Sequence, residues 1–319
     1  MGRRTAGRRV VRVAAQAVIV AALVAGAATP AVAAKPTGHG GGGGGGGTST
    51  PTGNDVSYPQ CGSSLPASPA FGIVGVTGGL ANDLNPCFGP SSTYPSYKES
   101  ELYWAVASTT GGTSQPKASL YVNTADPGNV YNGVVITDWP TSSRSTDPYK
   151  ACTTTTVTLT GVTHTVGENS DGCAWQYGYN MATQDSAWLG NAASAINNQS
   201  PPVKVPGTAN SYPWWLDVET ANTWQSDTAM NVADLQGMIT GLKAAGARKV
   251  GAYSTSSQWD TITGGTSSSS GALYQIPNWI PGARTLSGAQ ANCAQPSFTG
   301  GTVAVTQWFG HPDDGDYAC

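Results

Sequence analysis

A chain of 319 residues with 42 glycines, 10 tryptophans and 13 tyrosines is long enough to bury a substantial core, as one large domain or two small ones. Five of its 15 Lys+Arg (Arg3, Arg4, Arg8, Arg9 and Arg12) lie in the first 34 residues with no acid among them, so ten basic residues face 18 acidic ones thereafter, a net charge of −8. No basic run survives there, which argues against nucleic acid as a partner; the Gly, Thr, Ser and Asn content with many aromatics suits neutral polar ligands such as sugars, and equally suits a neutral exported surface.

In chain order, "MGRRTAGRRVVRVAAQAVIVAALVAGAATPAVAAK" reads as a basic start, an apolar stretch and a small-residue end, the order of a secretory signal peptide over residues 1–34. Its paired arginines permit a twin-arginine route as well as the general one. Residues 35–53, "KPTGHGGGGGGGGTSTPTG", cannot bury apolar surface and are expected to be a flexible tether. The folded domain is expected over 54–319, secreted or extracellular, associated with the cell wall if its ligand is there, without stable membrane insertion and monomeric. All six cysteines fall in this part, as three sequence-local pairs; fifteen connectivities exist on paper, and Cys61 with Cys87, Cys152 with Cys173 and Cys293 with Cys319 is the expected set. No CxxC spacing and only three histidines leave no metal site to expect, and no cofactor motif is present.

Short apolar runs recur: "NDVSYPQ" at the start, "FGIVGVTGG" (71–79), "ASLYVNTADPG" (118–128), "YPWWLDVET", "KVGAYST" (249–255), "PNWIPGA" (277–283) and "GTVAVTQWF" (301–309). Helix-compatible stretches lie between them: "SYKESELYWAVAST" (96–109), a long one over 173–196 interrupted by glycines, and "NVADLQGMITGLKAAGAR" (231–248). In the last, Val232, Leu235, Met238, Ile239 and Leu242 form one stripe and Gly246 sits where a helix stops. Strands alternating with helices imply βαβ units and a parallel sheet, and this many strands in this length favours a single α/β (β/α)8 TIM-type barrel. A Thr-rich segment from about Trp139 to Thr165 breaks the rhythm as an inserted loop or hairpin.

"WWLDVET" sets two acids, Asp217 and Glu219, two positions apart on one strand face with Trp215. At the C-terminal end of a barrel strand that face meets the active-site mouth. A carboxylate beside a second one, shielded by tryptophan, has its pKa raised by desolvation and like charge, which suits general acid work. The bland alternative is a solvated strand end whose acids cap the next helix. "NDVSYPQCG" adds Asp55 and Ser57 on one face of the first strand, entering the same mouth.

These residues carry a resemblance. "DVSYPQCG" resembles the opening motif of family 25 of the glycoside hydrolases, the lysozyme-like muramidases; "WWLDVE" is similar to that family's fourth-strand Asp-x-Glu, "GAYSTSSQW" to its fifth strand, and "VAVTQWFG" with "DGDYAC" to its closing Gln-Trp strand and terminal Asp. The resemblance implies catalytic Glu219 as proton donor to the leaving oxygen, Asp217 orienting the substrate's acetamido group as an internal nucleophile, and Asp55 and Asp316 in the same site. Tyr253, Trp215, Gln307 and Trp308 would bind a polysaccharide or peptidoglycan substrate. "LYVNTADPG" in place of a Tyr-His-Phe type of third strand, and the extra Thr-rich insert, put the peptidoglycan substrate in doubt before the fold. The rival reading is a non-catalytic barrel that binds glycans or cell-wall material. A serine hydrolase lacks its GxSxG elbow.

Overall fold

The computed structural model describes residues 50–310 and 313–319. The expected signal peptide and the tether as far as residue 49 lie outside the described residues. Gly53, the last residue of that tether, already belongs to the first strand.

Eight strands close into a barrel: β1 (Gly53–Val56), β2 (Gly72–Gly75), β3 (Ala118–Asn123), β8 (Trp214–Asp217), β9 (Val250–Tyr253), β10 (Asn278–Ala283), β11 (Val303–Trp308) and β12 (Asp314–Ala318), the last of which returns beside β1. Neighbours are parallel except at β12, which runs antiparallel to both β11 and β1. Five α-helices are present among the described residues: α1 (Glu101–Ala107), α2 (Asp171–Asn198), α3 (Thr228–Ala244), α4 (Ser256–Thr263) and α5 (Leu286–Asn292).

The closed eight-stranded barrel agrees with the expectation; the eightfold strand-helix repeat does not. No α-helix separates β1 from β2, because the connection carries Pro59, Pro66 and Pro69 and is tied by the Cys61–Cys87 disulfide. β11 and β12 form a hairpin. The Thr-rich insert is a hairpin of its own, β6 (Thr154–Leu159) against β7 (Val162–Gly167), outside the barrel sheet, as is the small pair β4 (Val130–Tyr131) and β5 (Val134–Val135). Cys152–Cys173 staples the base of the Thr-rich hairpin to the first turn of α2, and Cys293–Cys319 ties the end of α5 to the residue after β12. No helix among the described residues is long and apolar enough to cross a membrane.

Strand alternation divides the core in two. One face of each strand packs under the helices, as Val74, Leu120, Val122 and Leu216 do beside Trp104, Trp175 and Leu235. The other face fills the barrel with Phe71, Ile73, Tyr121, Trp215, Trp279 and Val305. Glu101, buried at the start of α1, accepts the Gln60 backbone N–H and the Asn85 amide at 2.7 Å each, fastening the β1–β2 loop next to its disulfide.

α2 runs unbroken through Gly178 and Gly190, where glycine interruptions were expected. Close packing on α3 explains it. A Cβ on Gly178 would lie 2.1 Å from the Asp234 carbonyl oxygen, and one on Gly237 of α3 would lie 1.9 Å from that of Trp175. Gly237→Ala therefore reverses the usual gain of about 1 kcal/mol for alanine in a helix and costs about 1–3 kcal/mol by forcing the helices apart. A thermal melt should show Tm lower by several degrees; an unchanged or raised Tm would contradict this packing.

Candidate active site

Seven strands point their C-terminal ends at one rim, and a cavity of about 120 Å³ opens there. Asp55, Ser57, Tyr121, Asp217, Glu219, Tyr253, Trp279, Gln307, Phe309 and Asp314 line it. Three barrel strands, β1, β8 and β12, with the segment just beyond β8, bring together acids that lie up to 259 positions apart, Asp55 and Asp314 being paired in register across β1 and β12.

Asp217 ends β8 on the inner face, buried, and Glu219 sits two residues beyond the strand, half-buried. The Glu219 backbone is held by the Trp224 indole, which donates to its carbonyl at 2.8 Å, and by a turn to Asn222 N at 3.0 Å. Its side chain lines the same cavity as that of Asp217. Burial, then the charge of Glu219, push Asp217 well above the usual carboxylate range, while the Asn123 amide, donating to Asp217 Oδ2, pulls the other way. Asp217 Oδ1 has no hydrogen-bond donor.

Across the cavity, Asp55 Oδ1 accepts from Ser57 Oγ at 2.7 Å and Oδ2 from Gln307 Nε2 at 2.9 Å. Tyr253 Oη donates to Gln307 Oε1 at 2.9 Å, which fixes that amide's orientation and links β9, β11 and β1. Burial pushes Asp55 up to about 6, against both hydrogen bonds. Asp316 lies fully buried beneath it and accepts from Trp279 Nε1 at 2.9 Å; burial, then the charge of Asp55, push it well above the usual range. Its Oδ2 has no hydrogen-bond partner, so nothing on that side offsets the burial that favours the neutral acid.

The structure thus brings Asp55, Asp217, Glu219, Tyr253 and Gln307 to one cavity, with Asp316 behind Asp55 rather than on the wall. Two residues expected at the mouth are elsewhere. Trp215 does share the inner face with Asp217, but two residues down a strand is about 6.6 Å deeper, and it packs inside the barrel against Trp279 and borders a cavity at the opposite end. Trp308 follows the inward-facing Gln307, so alternation turns it outward, over Gly315.

Sequence reading missed Tyr121, Asn123, Trp279, Phe309 and Asp314. A signal for two of them existed. "SLYVN" alternates Ser119, Tyr121 and Asn123 with Leu120 and Val122, a polar inner face opposite an apolar outer one. Trp279 stood in "PNWIPGA", and Phe309, 62% exposed, ended the run "GTVAVTQWF"; nothing in either run marked these residues for the cavity.

Comparison with known proteins points to the same segment. Residues 206–279 match the family model described as lysozyme-like protein 1. A 65-residue stretch, 20% of this chain, is 40% identical to proteins described as probable family 25 glycoside hydrolase lysozymes 4 and 2 of Dictyostelium discoideum, covering 30% and 28% of them. The match thus spans less than a third of the length of these curated relatives. Two solved structures are similar at 14% identity: a muramidase from Trichobolus zukalii, over 84% of this chain and 93% of that one with a TM-score of 0.40, and a glycosyl hydrolase 25 of Streptococcus pneumoniae, over 84% and 86% with a TM-score of 0.36. The stretch that matches the family model holds Asp217, Glu219, Tyr253 and Trp279.

Proposed function

We propose that the protein is an exported glycoside hydrolase that cuts peptidoglycan or another amino-sugar polymer. The observation that carries the proposal is the Asp217–Glu219 carboxyl pair facing a cavity at the C-terminal end of the barrel. Burying paired acids costs folding free energy, a cost that a purely structural strand end would not need to bear.

Glu219, the less buried of the two, gives its proton to the glycosidic oxygen as the bond to the anomeric carbon breaks. Asp217 accepts the acetamido N–H and turns that group's carbonyl oxygen onto the anomeric carbon, so the group itself supplies the electron pair. Water then opens the resulting ring, and the Glu219 carboxylate takes the proton from that water. Asp55, held by Ser57 and Gln307, places a second negative charge near the cationic sugar, and Tyr253, Trp279 and Phe309 offer aromatic faces to the ring. Three disulfides suit an oxidising compartment, consistent with export.

A second reading, a glycan-binding barrel without turnover, is favoured by one feature: Phe309, largely exposed, lines the cavity as an aromatic face open to solvent. Incubation of the mature domain with purified peptidoglycan and with chitin-type oligosaccharides, products read by mass spectrometry, separates the two. Cleaved fragments support the hydrolase; retention on the polymers without fragments supports the binder.

A further inference from the structure

Asn123 ends β3 on the inner face, in register with Asp217 of β8. Its amide is locked in one orientation. Thr77 Oγ accepts the Asn123 backbone N–H at 2.7 Å, and its own hydroxyl proton goes to Asn123 Oδ1 at 3.0 Å. The Gly79 N–H donates to the same Oδ1 at 3.0 Å. With both lone pairs of Oδ1 occupied, Nδ2 is left to face Asp217 and donates to its Oδ2. All of these groups but Gly79 are buried, so water does not compete.

Burial disfavours the charged form of Asp217, and a protonated Asp217 would be unable to accept the acetamido N–H fully. A fixed N–H aimed at Asp217 Oδ2 works against burial, because an amide donor stabilises an anion more than a neutral acid. We infer that Asn123 is a positioning residue that holds the Asp217 carboxyl in place and favours its anion, the form that accepts the substrate's acetamido group. The inference rests on the glycosidase reading for its consequence and on the hydrogen-bond chain for its cause. The other ionisable groups around Asp217 are Glu219 just beyond β8, Asp55 on β1, Tyr121 on β3 and Tyr253 on β9, none of them cationic, so no other full charge offsets the anion.

The test compares wild type with Asn123→Ala and Thr77→Val on peptidoglycan over about pH 4 to 9, with kcat separated from KM, and follows the Asp217 carboxyl by 13C NMR titration. In Asn123→Ala the expected kcat is about ten- to a hundredfold lower with KM little changed, and the acid limb of the rate profile and the Asp217 titration both move up by about one pH unit or more. Thr77→Val, which keeps the amide but frees its orientation, should move both in the same direction by less, and it carries the test if Asn123→Ala does not fold. A lowered Tm with rate profile and titration unmoved would mean that Asn123 only packs, and would overturn the inference. If the wild-type domain cuts nothing, the glycosidase reading fails, while the Asp217 titration still decides whether Asn123 holds the charge there.

Discussion

Glu219→Gln should lose hydrolysis of purified peptidoglycan by about a hundred- to ten-thousandfold, the range for removing a general acid. Glutamine keeps the size and the hydrogen-bonding reach of the side chain but has no proton to give to the leaving oxygen. It also leaves Asp217 without a second carboxyl to oppose its charge, so Tm should stay level or rise. That pairing of outcomes distinguishes a catalytic acid from a structural one, whose loss would lower Tm and activity together. Retention of the wild-type rate in Glu219→Gln would dismiss Glu219 as the acid. Loss of turnover with unchanged binding to the polymer would leave a lectin-like variant, useful for trapping the bound substrate.

The second large effect is on stability against pH, and its sign is the reverse of the usual one for acidic proteins. Burial raises Asp55 to about 6 and Glu101 to about 7, above their ordinary values of 3.8 and 4.5. A carboxyl whose pKa is higher in the folded state binds its proton more tightly there, so its contribution is complete below the unfolded value and is lost as pH rises through the folded one. The window therefore runs from about pH 4 to about pH 7. Two shifts of roughly two units each amount to on the order of 5 kcal/mol. Melting temperature should fall as pH is raised across that window, and Asp55→Asn and Glu101→Gln should each flatten the slope. A Tm that climbs from pH 4 to 7 would show that the hydrogen bonds from Gln307, Ser57, Gln60 and Asn85 outweigh burial.

The barrel was legible because its strands are short apolar runs closed by turn residues, and α3 because its stripe is uninterrupted and Gly246, at φ 103°, stops it. α4 and α5 were not, being eight and seven residues of mostly polar or small side chains that are helical through their caps, Thr255 and Thr285, and their packing. β12 escaped because "DGDYA" has no strand pattern; it is a strand because β1 and β11 offer it two edges. At the site, parity along a strand put Asp217 and Asp55 on the inner face, where the structure has them, while Gln307 was named from the resemblance alone. Depth along the strand is a different quantity: it put Trp215 one layer too high. Alternation could place Asn123 on the inner face, but not its role, which depends on Thr77 and Gly79 from the neighbouring strand end.

The three disulfides close loops with sequence separations of 26, 21 and 26. In the unfolded chain, each cysteine is therefore at a higher effective concentration to its native partner than to distant ones. A loop roughly ten times longer, such as one joining Cys61 to Cys319, closes at an entropic disadvantage of about 2 kcal/mol, a factor of about thirty in favour of the native pair. Oxidation can thus run ahead of barrel closure with few mispaired species to reshuffle, so the polypeptide reaches its cross-linked form with little demand on a thiol isomerase.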